Sequence, residues 1–171
     1  FSLSLILFES LKNLLRPNLN AYDYTSKKFD KFVELLCFFL SSCFKQKDIE
    51  LQEKLLLPVI LSELGRFFIS EEIIEKDLKS NFDKLFKEGI LIEKVEKEFL
   101  GITCSEVSAL ILEKWNFDKL LVSKIKLIDN LEACKKDEEI AIINVIKTAC
   151  NIHNPFSKGN ISRAVEKAVD F

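Results

Sequence analysis

Methionine is absent from the 171 residues, and histidine occurs once, as His153. One imidazole excludes any metal centre that needs several histidines converging on one ion. Four glycines and three prolines leave little material for hairpins or extended loops, which favours an all-helical chain. No Cys-x-x-Cys pair occurs among the five cysteines, Cys37, Cys43, Cys104, Cys134 and Cys150. Scattered and odd in number, they read as reduced, mostly buried thiols in a reducing compartment rather than as a disulfide framework. A long basic run is also missing. The 25 basic and 27 acidic residues are thoroughly mixed, for a net charge of −2, so the basic face of a nucleic-acid binder is not there. Lys27-Lys28 and Lys135-Lys136 read as solvated helix ends. The apolar run Phe1 to Phe8 is too short to span a bilayer, and no basic leader or small-residue cleavage site marks it as a signal peptide. The expectation is a cytoplasmic protein with neither a nucleic-acid nor a membrane partner. A chain that begins at Phe1 without methionine also reads as a fragment, or as one whose methionines are not written out.

What is present is the composition of a globular domain, 48% hydrophobic and 30% charged. At this length a single domain over residues 1–171 buries roughly 70% of the surface its unfolded chain exposes. Fifteen phenylalanines predict a core filled largely by their rings. Apolar spacing predicts helices over about Phe1–Leu15, Lys27–Phe44, Ile49–Phe68 (kinked or divided at Pro58), Ser70–Gly89, Ile90–Phe99, Thr103–Asn116, Leu120–Ile128, Glu138–Ile152 and Ser162–Val169. Asp48, Thr103 and Asp137 stand as caps, and Gly89 and Gly101 as helix ends. The result is an all-α, compact domain of seven to nine helices without internal repeat or linker.

The most informative stretch is Leu100 to Phe117, Leu-Gly-Ile-Thr-Cys-Ser-Glu-Val-Ser-Ala-Leu-Ile-Leu-Glu-Lys-Trp-Asn-Phe. Thr103 and Glu106 have capping-box spacing. Together with Leu61-Ser-Glu-Leu-Gly65-Arg-Phe-Phe and Leu121-Val-Ser-Lys-Ile-Lys-Leu-Ile-Asp-Asn130, it resembles the HDOD family, output domains related to HD-type metal phosphohydrolases. The resemblance spans about Ser26 to Cys150 and is most specific in the middle segment, through Gly101, Glu106, Val107, Ala109, Leu110, Glu113, Trp115 and Asn116. It implies the HD/HDOD helical fold, a domain lacking the small helices that normally come first, and a role in bacterial signal transduction.

The resemblance also implies what is missing. Where HD-type relatives carry a His-Asp pair, this chain has Ser62 and Glu63. Where the Trp-ended helix begins with histidine it has Cys104, and the His-His pair becomes Ile128 and Asp129. A phosphohydrolase of this type needs several ligands to activate water and neutralise phosphate charge. Only Glu63, Cys104 and Asp129 can hold a metal, and Ile128 cannot ligate anything. The expectations are no catalytic residue, no metal, no cofactor, and function through protein partners of a signalling pathway. Alternatives are residual phosphohydrolase or cyclic-dinucleotide phosphodiesterase activity, and a domain that senses a nucleotide without cleaving it. His153 reads as structural beside a helix end, Glu106 as a cap, Cys104 as a small buried residue, and Trp115 and the stripe Phe29, Phe32, Phe39 as core.

Overall fold

The computed structural model describes residues 2–15, 18–44, 48–85, 90–152 and 155–171; His153, Asn154 and the Phe86–Gly89 segment with its proposed glycine cap lie outside them. Among the described residues there are eleven α-helices, a 3-10 turn at Asn20–Tyr22 and no strand. The helices are α1 (Ser2–Leu15), α2 (Ser26–Phe44), α3 (Ile49–Leu61), α4 (Gly65–Glu75), α5 (Lys79–Leu85), α6 (Ile92–Leu100), α7 (Cys104–Lys114), α8 (Lys119–Leu127), α9 (Leu131–Cys134), α10 (Glu138–Ala149) and α11 (Lys158–Asp170). None is long and apolar enough to cross a membrane.

The count exceeds the seven to nine expected for local reasons. The helix expected to start at Ser70 instead runs through it, and the chain breaks at Asp77, in the left-handed region at φ 52°. Asn130 accepts from the amides of Glu132 and Ala133, starting the single-turn α9 that periodicity alone cannot reveal. Division of the Ile49–Phe68 helix comes not at Pro58, which stays inside α3, but at Ser62–Leu64. There Glu63 N–H and Leu64 N–H each reach back three residues, to Ile60 and Leu61. This tightening turns the chain and places Ser62 and Glu63 at a corner between two helices.

The core corrects the phenylalanine expectation: leucine and isoleucine supply most of the buried apolar side chains among the described residues, and the buried phenylalanines are Phe8, Phe29, Phe32, Phe67 and Phe82. Phe29 of α2 lies 5.1 Å from Phe67 of α4, ring centre to ring centre, and 6.3 Å from Phe8 of α1. Fully burying each such ring is worth about 1.5–3 kcal/mol. Phe29 and Phe32 are buried, while Phe39 is half-buried and meets Phe156 at 5.2 Å. Trp115 corrects the core expectation: it is the C-cap of α7 and 39% exposed. Asn116 takes the left-handed turn after it, at φ 57°, and the side chain of Trp115 is left at the surface.

The approach of α4 to α7 decides the geometry of the site. A Cβ on Gly65 would stand 2.2 Å from the Cys104 carbonyl oxygen and 3.0 Å from the Ser108 amide nitrogen. Only glycine permits that backbone contact.

Candidate functional site

The α3–α4 corner leaves the Ser62 carbonyl without a helical donor, and α7 supplies two. Ser108 Oγ donates to it at 2.8 Å and Cys104 Sγ at 3.2 Å, while Gly65 N–H donates to Ser108 Oγ at 2.8 Å. Ser62 spends its own hydroxyl on the Val59 carbonyl, 2.7 Å away. Ser62, Glu63 and Cys104, far apart in sequence, are thus brought to one buried seam.

Glu63 does not face open space there. Arg66 Nε donates to its Oε2 at 2.5 Å, and Lys147 Nζ of α10 lies 3.2 Å from its Oε1. Arg66 Nη1 continues to Glu96 Oε1 of α6 at 2.6 Å, and its guanidinium sits 5.4 Å over the Tyr22 ring. The remaining donors to Glu96 are Tyr22 Oη, at 2.9 Å, and the Cys104 amide, at 2.8 Å. Lys147 also donates to Ser105 Oγ at 2.7 Å. Two cations and two carboxylates therefore balance within the seam, each hydrogen-bonded, as buried charges must be.

The titration behaviour follows from this packing. Burial alone would raise the Glu63 carboxyl, but Arg66 and Lys147 outweigh it and hold it below the usual carboxylate range. Burial pushes Glu96 up to about 7, against the pull of Arg66 and the Cys104 amide. Cys104 is driven far above an ordinary thiol by burial and by Glu63 and Glu96, despite Arg66. It is a protonated thiol, not a thiolate. Burial would lower Lys147, yet Glu63 and Asp129 raise it, so it stays an ammonium ion.

The other two positions make no hydrogen bond with this network among the described residues, and Asp129 reaches it only through its charge on Lys147. The Ile128 side chain is fully buried, and its carbonyl accepts from Asn144 Nδ2 at 2.7 Å. Asp129 Oδ2 is buried without a hydrogen bond. Its charge is felt by Lys147, Lys167 and Glu93, and Glu93 is raised by burial and by Asp129. Glu106 completes the capping box: its Oε2 accepts from Thr103 N–H at 2.8 Å, and its own N–H donates to Thr103 Oγ1 at 3.3 Å. His153 lies outside the described residues.

Sequence reasoning missed Tyr22, Arg66, Glu96 and Lys147. Arg66 offered one signal, its three-residue spacing from Glu63 on a helical turn. Glu96 is hidden in a helix whose alternating Glu and Lys read as a solvated face, and Lys147 is a lone cation near a helix end.

A family model, the HDOD domain, matches residues 30–131. A solved virulence factor from Campylobacter jejuni subsp. jejuni superposes with a TM-score of 0.70 at 22% identity, over 90% of this chain and 55% of that one. The present chain thus spans about half the length of that protein, and the likeness speaks for the fold alone. No curated protein matches. Helix α11 lies beyond the matched family segment.

Proposed function

The chain belongs to the HDOD family, and from that premise we propose that it is a non-catalytic signalling module of the bacterial cytoplasm, acting through contacts with protein partners. Residues 1–171 are read as one domain. The observation that carries the reading is the neutralised seam at Glu63. A metal phosphohydrolase needs free carboxylate and imidazole donors aimed at a common point. Here both Glu63 oxygens are taken by Arg66 and Lys147. The Ser62 hydroxyl is spent on backbone, Cys104 remains a thiol, and Ile128 is hydrocarbon. This donor set does not fit a divalent ion. Two fixed cations carry the positive charge instead, and a folded domain relieved of its ligands keeps its scaffold for other use.

Support for protein contacts comes from the corner between α7 and α8. Leu110, Trp115 and Leu120 are 50%, 39% and 65% exposed, beside a depression of about 600 Å³ lined in part by Leu110, Phe117 and Val122. Large apolar side chains left exposed on neighbouring elements are the material of interaction surfaces.

The test is hydrolysis of bis(4-nitrophenyl) phosphate with Mg²⁺, Mn²⁺, Fe²⁺ or Zn²⁺ supplied in turn. The expected rate equals that of the metal alone. Metal-dependent turnover that Glu63→Gln removes would replace this reading with a working phosphohydrolase.

A further inference from the structure

Two buried side-chain polar atoms lack a hydrogen bond among the described residues, Asp129 Oδ2 and Arg163 Nη1, and both residues line the same cleft. The cleft, about 750 Å³, lies between α6, the α8–α9 corner and α11. Its volume falls within the range of small-molecule sites, roughly 300–1,000 Å³. Native folds seldom leave buried polar groups unpaired, and each one calls for a missing partner. Here the two orphans carry opposite charge, yet no ion pair joins them. A single partner that satisfies both must itself carry both charges.

The distribution of the other charges gives that partner an orientation. Towards the interior, half-buried Glu93 and Asp129 stand beside Leu91, Thr103 and Asn144, which are nearly inaccessible. Lys167 is committed there, donating to Asn144 Oδ1 at 2.7 Å and to Thr148 Oγ1 at 2.9 Å. Lys147, paired with Glu63, reaches the same two carboxyl groups only through its charge, and Asn151 Nδ2 donates to Glu93 Oε2 at 3.1 Å, so Asp129 Oδ2 is left as the acceptor without a donor. At the lip, Lys97 is tied to Glu106 at 2.9 Å, but Lys94 and Lys126 are exposed and make no ion pair among the described residues. Glu166 and Asp170, solvated on α11, form the opposite lip.

We infer that this cleft binds a small zwitterion of the amino-acid type. Its ammonium group lies against Glu93 and Asp129, and its carboxylate lies against Arg163, Lys94 and Lys126. The orphaned oxygen reaches the ligand by rotation of the Asp129 carboxyl about its Cβ–Cγ bond, a broad two-fold torsion. The remaining volume receives the ligand's own side chain. The site is distinct from the Glu63 seam, and part of its wall is α11.

The experiment is calorimetric titration of the full chain at pH 7 with each of the twenty proteinogenic L-amino acids, with acetate and methylammonium as half-ligands. At least one amino acid is expected to bind saturably and raise the melting temperature, while neither half-ligand does. Asp129→Asn and Arg163→Gln each weaken binding at least tenfold. Lys126→Gln, at an exposed position, weakens it without altering the fold. Asp129→Asn removes the repulsion with Glu93 together with the attraction to Lys147 and Lys167, so the melting temperature of each free variant is measured beside its affinity, and the loss of binding is expected in protein that is still folded. Glu132→Gln, outside the cleft, changes nothing. The inference is overturned if no amino acid binds, if acetate binds as tightly as the amino acid, or if the Asp129 and Arg163 variants keep full affinity.

Discussion

Replacing Arg66 with methionine removes the one group that links both halves of the buried seam. The arginine is 3% exposed and holds two carboxylates of which neither exceeds 1% exposure. Without it, Glu63 keeps only Lys147 at 3.2 Å, and Glu96 keeps only the Tyr22 hydroxyl and the Cys104 amide. Breaking a buried ion pair from one side costs about 3–5 kcal/mol, because the abandoned charge stays buried. For a chain of this size each kcal/mol moves the melting temperature by roughly 2–4 °C, so a fall of about 6–20 °C is expected. Urea unfolding followed by circular dichroism measures the free energy directly. The double variant Arg66→Met with Glu63→Gln should lose less than the sum of the single losses, with a coupling on the order of 1–3 kcal/mol. A single-variant loss below about 1 kcal/mol, or additivity within about 0.5 kcal/mol, would refute the view that these charges are mutually dependent.

Three further outcomes follow from the same geometry. Gly65→Ala drives a methyl group into the Cys104 carbonyl and should cost at least about 1–3 kcal/mol. Gly159→Ala, with nothing within 4 Å of its Cβ, should be neutral or stabilising by up to about 1 kcal/mol; equal thermal shifts would contradict the close α4–α7 contact. A thiol reagent such as Ellman's should titrate one cysteine rapidly in the folded protein, exposed Cys43, and all five in denaturant; rapid reaction at Cys104 would mean the seam opens. Burial, aided by the charge of Glu93, holds the Glu96 carboxyl at about 7 in the fold, against an ordinary 4.5 and against the pull of Arg66, the Cys104 amide and Tyr22. Between those values the folded state holds the extra proton, so stability from this group falls as pH rises through the window. Glu96→Gln should flatten that slope in urea unfolding at pH 5, 6, 7 and 8, and an unchanged slope would reject it.

Local chemistry made much of the fold readable. Asp48, Thr103 and Asp137 cap the helices expected of them, and Gly101 ends α6 in the left-handed region at φ 75°. Each of these features acts within four residues, so neighbouring sequence suffices to find it. Ser70 shows the limit. Followed by two glutamates, it has the look of a cap, yet it is buried inside α4 and accepts from the Ala21 amide, 49 residues away. A hydroxyl that serves a distant backbone group cannot be told from a cap by its neighbours. The site divides in the same way. Resemblance located Ser62, Glu63 and Cys104 at one seam, but the charges that occupy it come from α4, α6 and α10. Glu96 and Lys147 stand in stretches whose local pattern says only helix, and tertiary packing alone gives them partners. Asp129 was marked in sequence only as a former ligand position and Arg163 not at all; they line one cleft only because α11 folds back beside the α8–α9 corner.

The central claim is that fixed cations at Glu63 have replaced the conditions for holding a metal. Its most direct test is titration of Mn²⁺ into the full chain, with the free ion followed by electron paramagnetic resonance. The account predicts that the free-ion signal rises linearly from the first addition, as in buffer, and is unchanged by Glu63→Gln. A stoichiometric lag in the native protein that disappears in Glu63→Gln would contradict it.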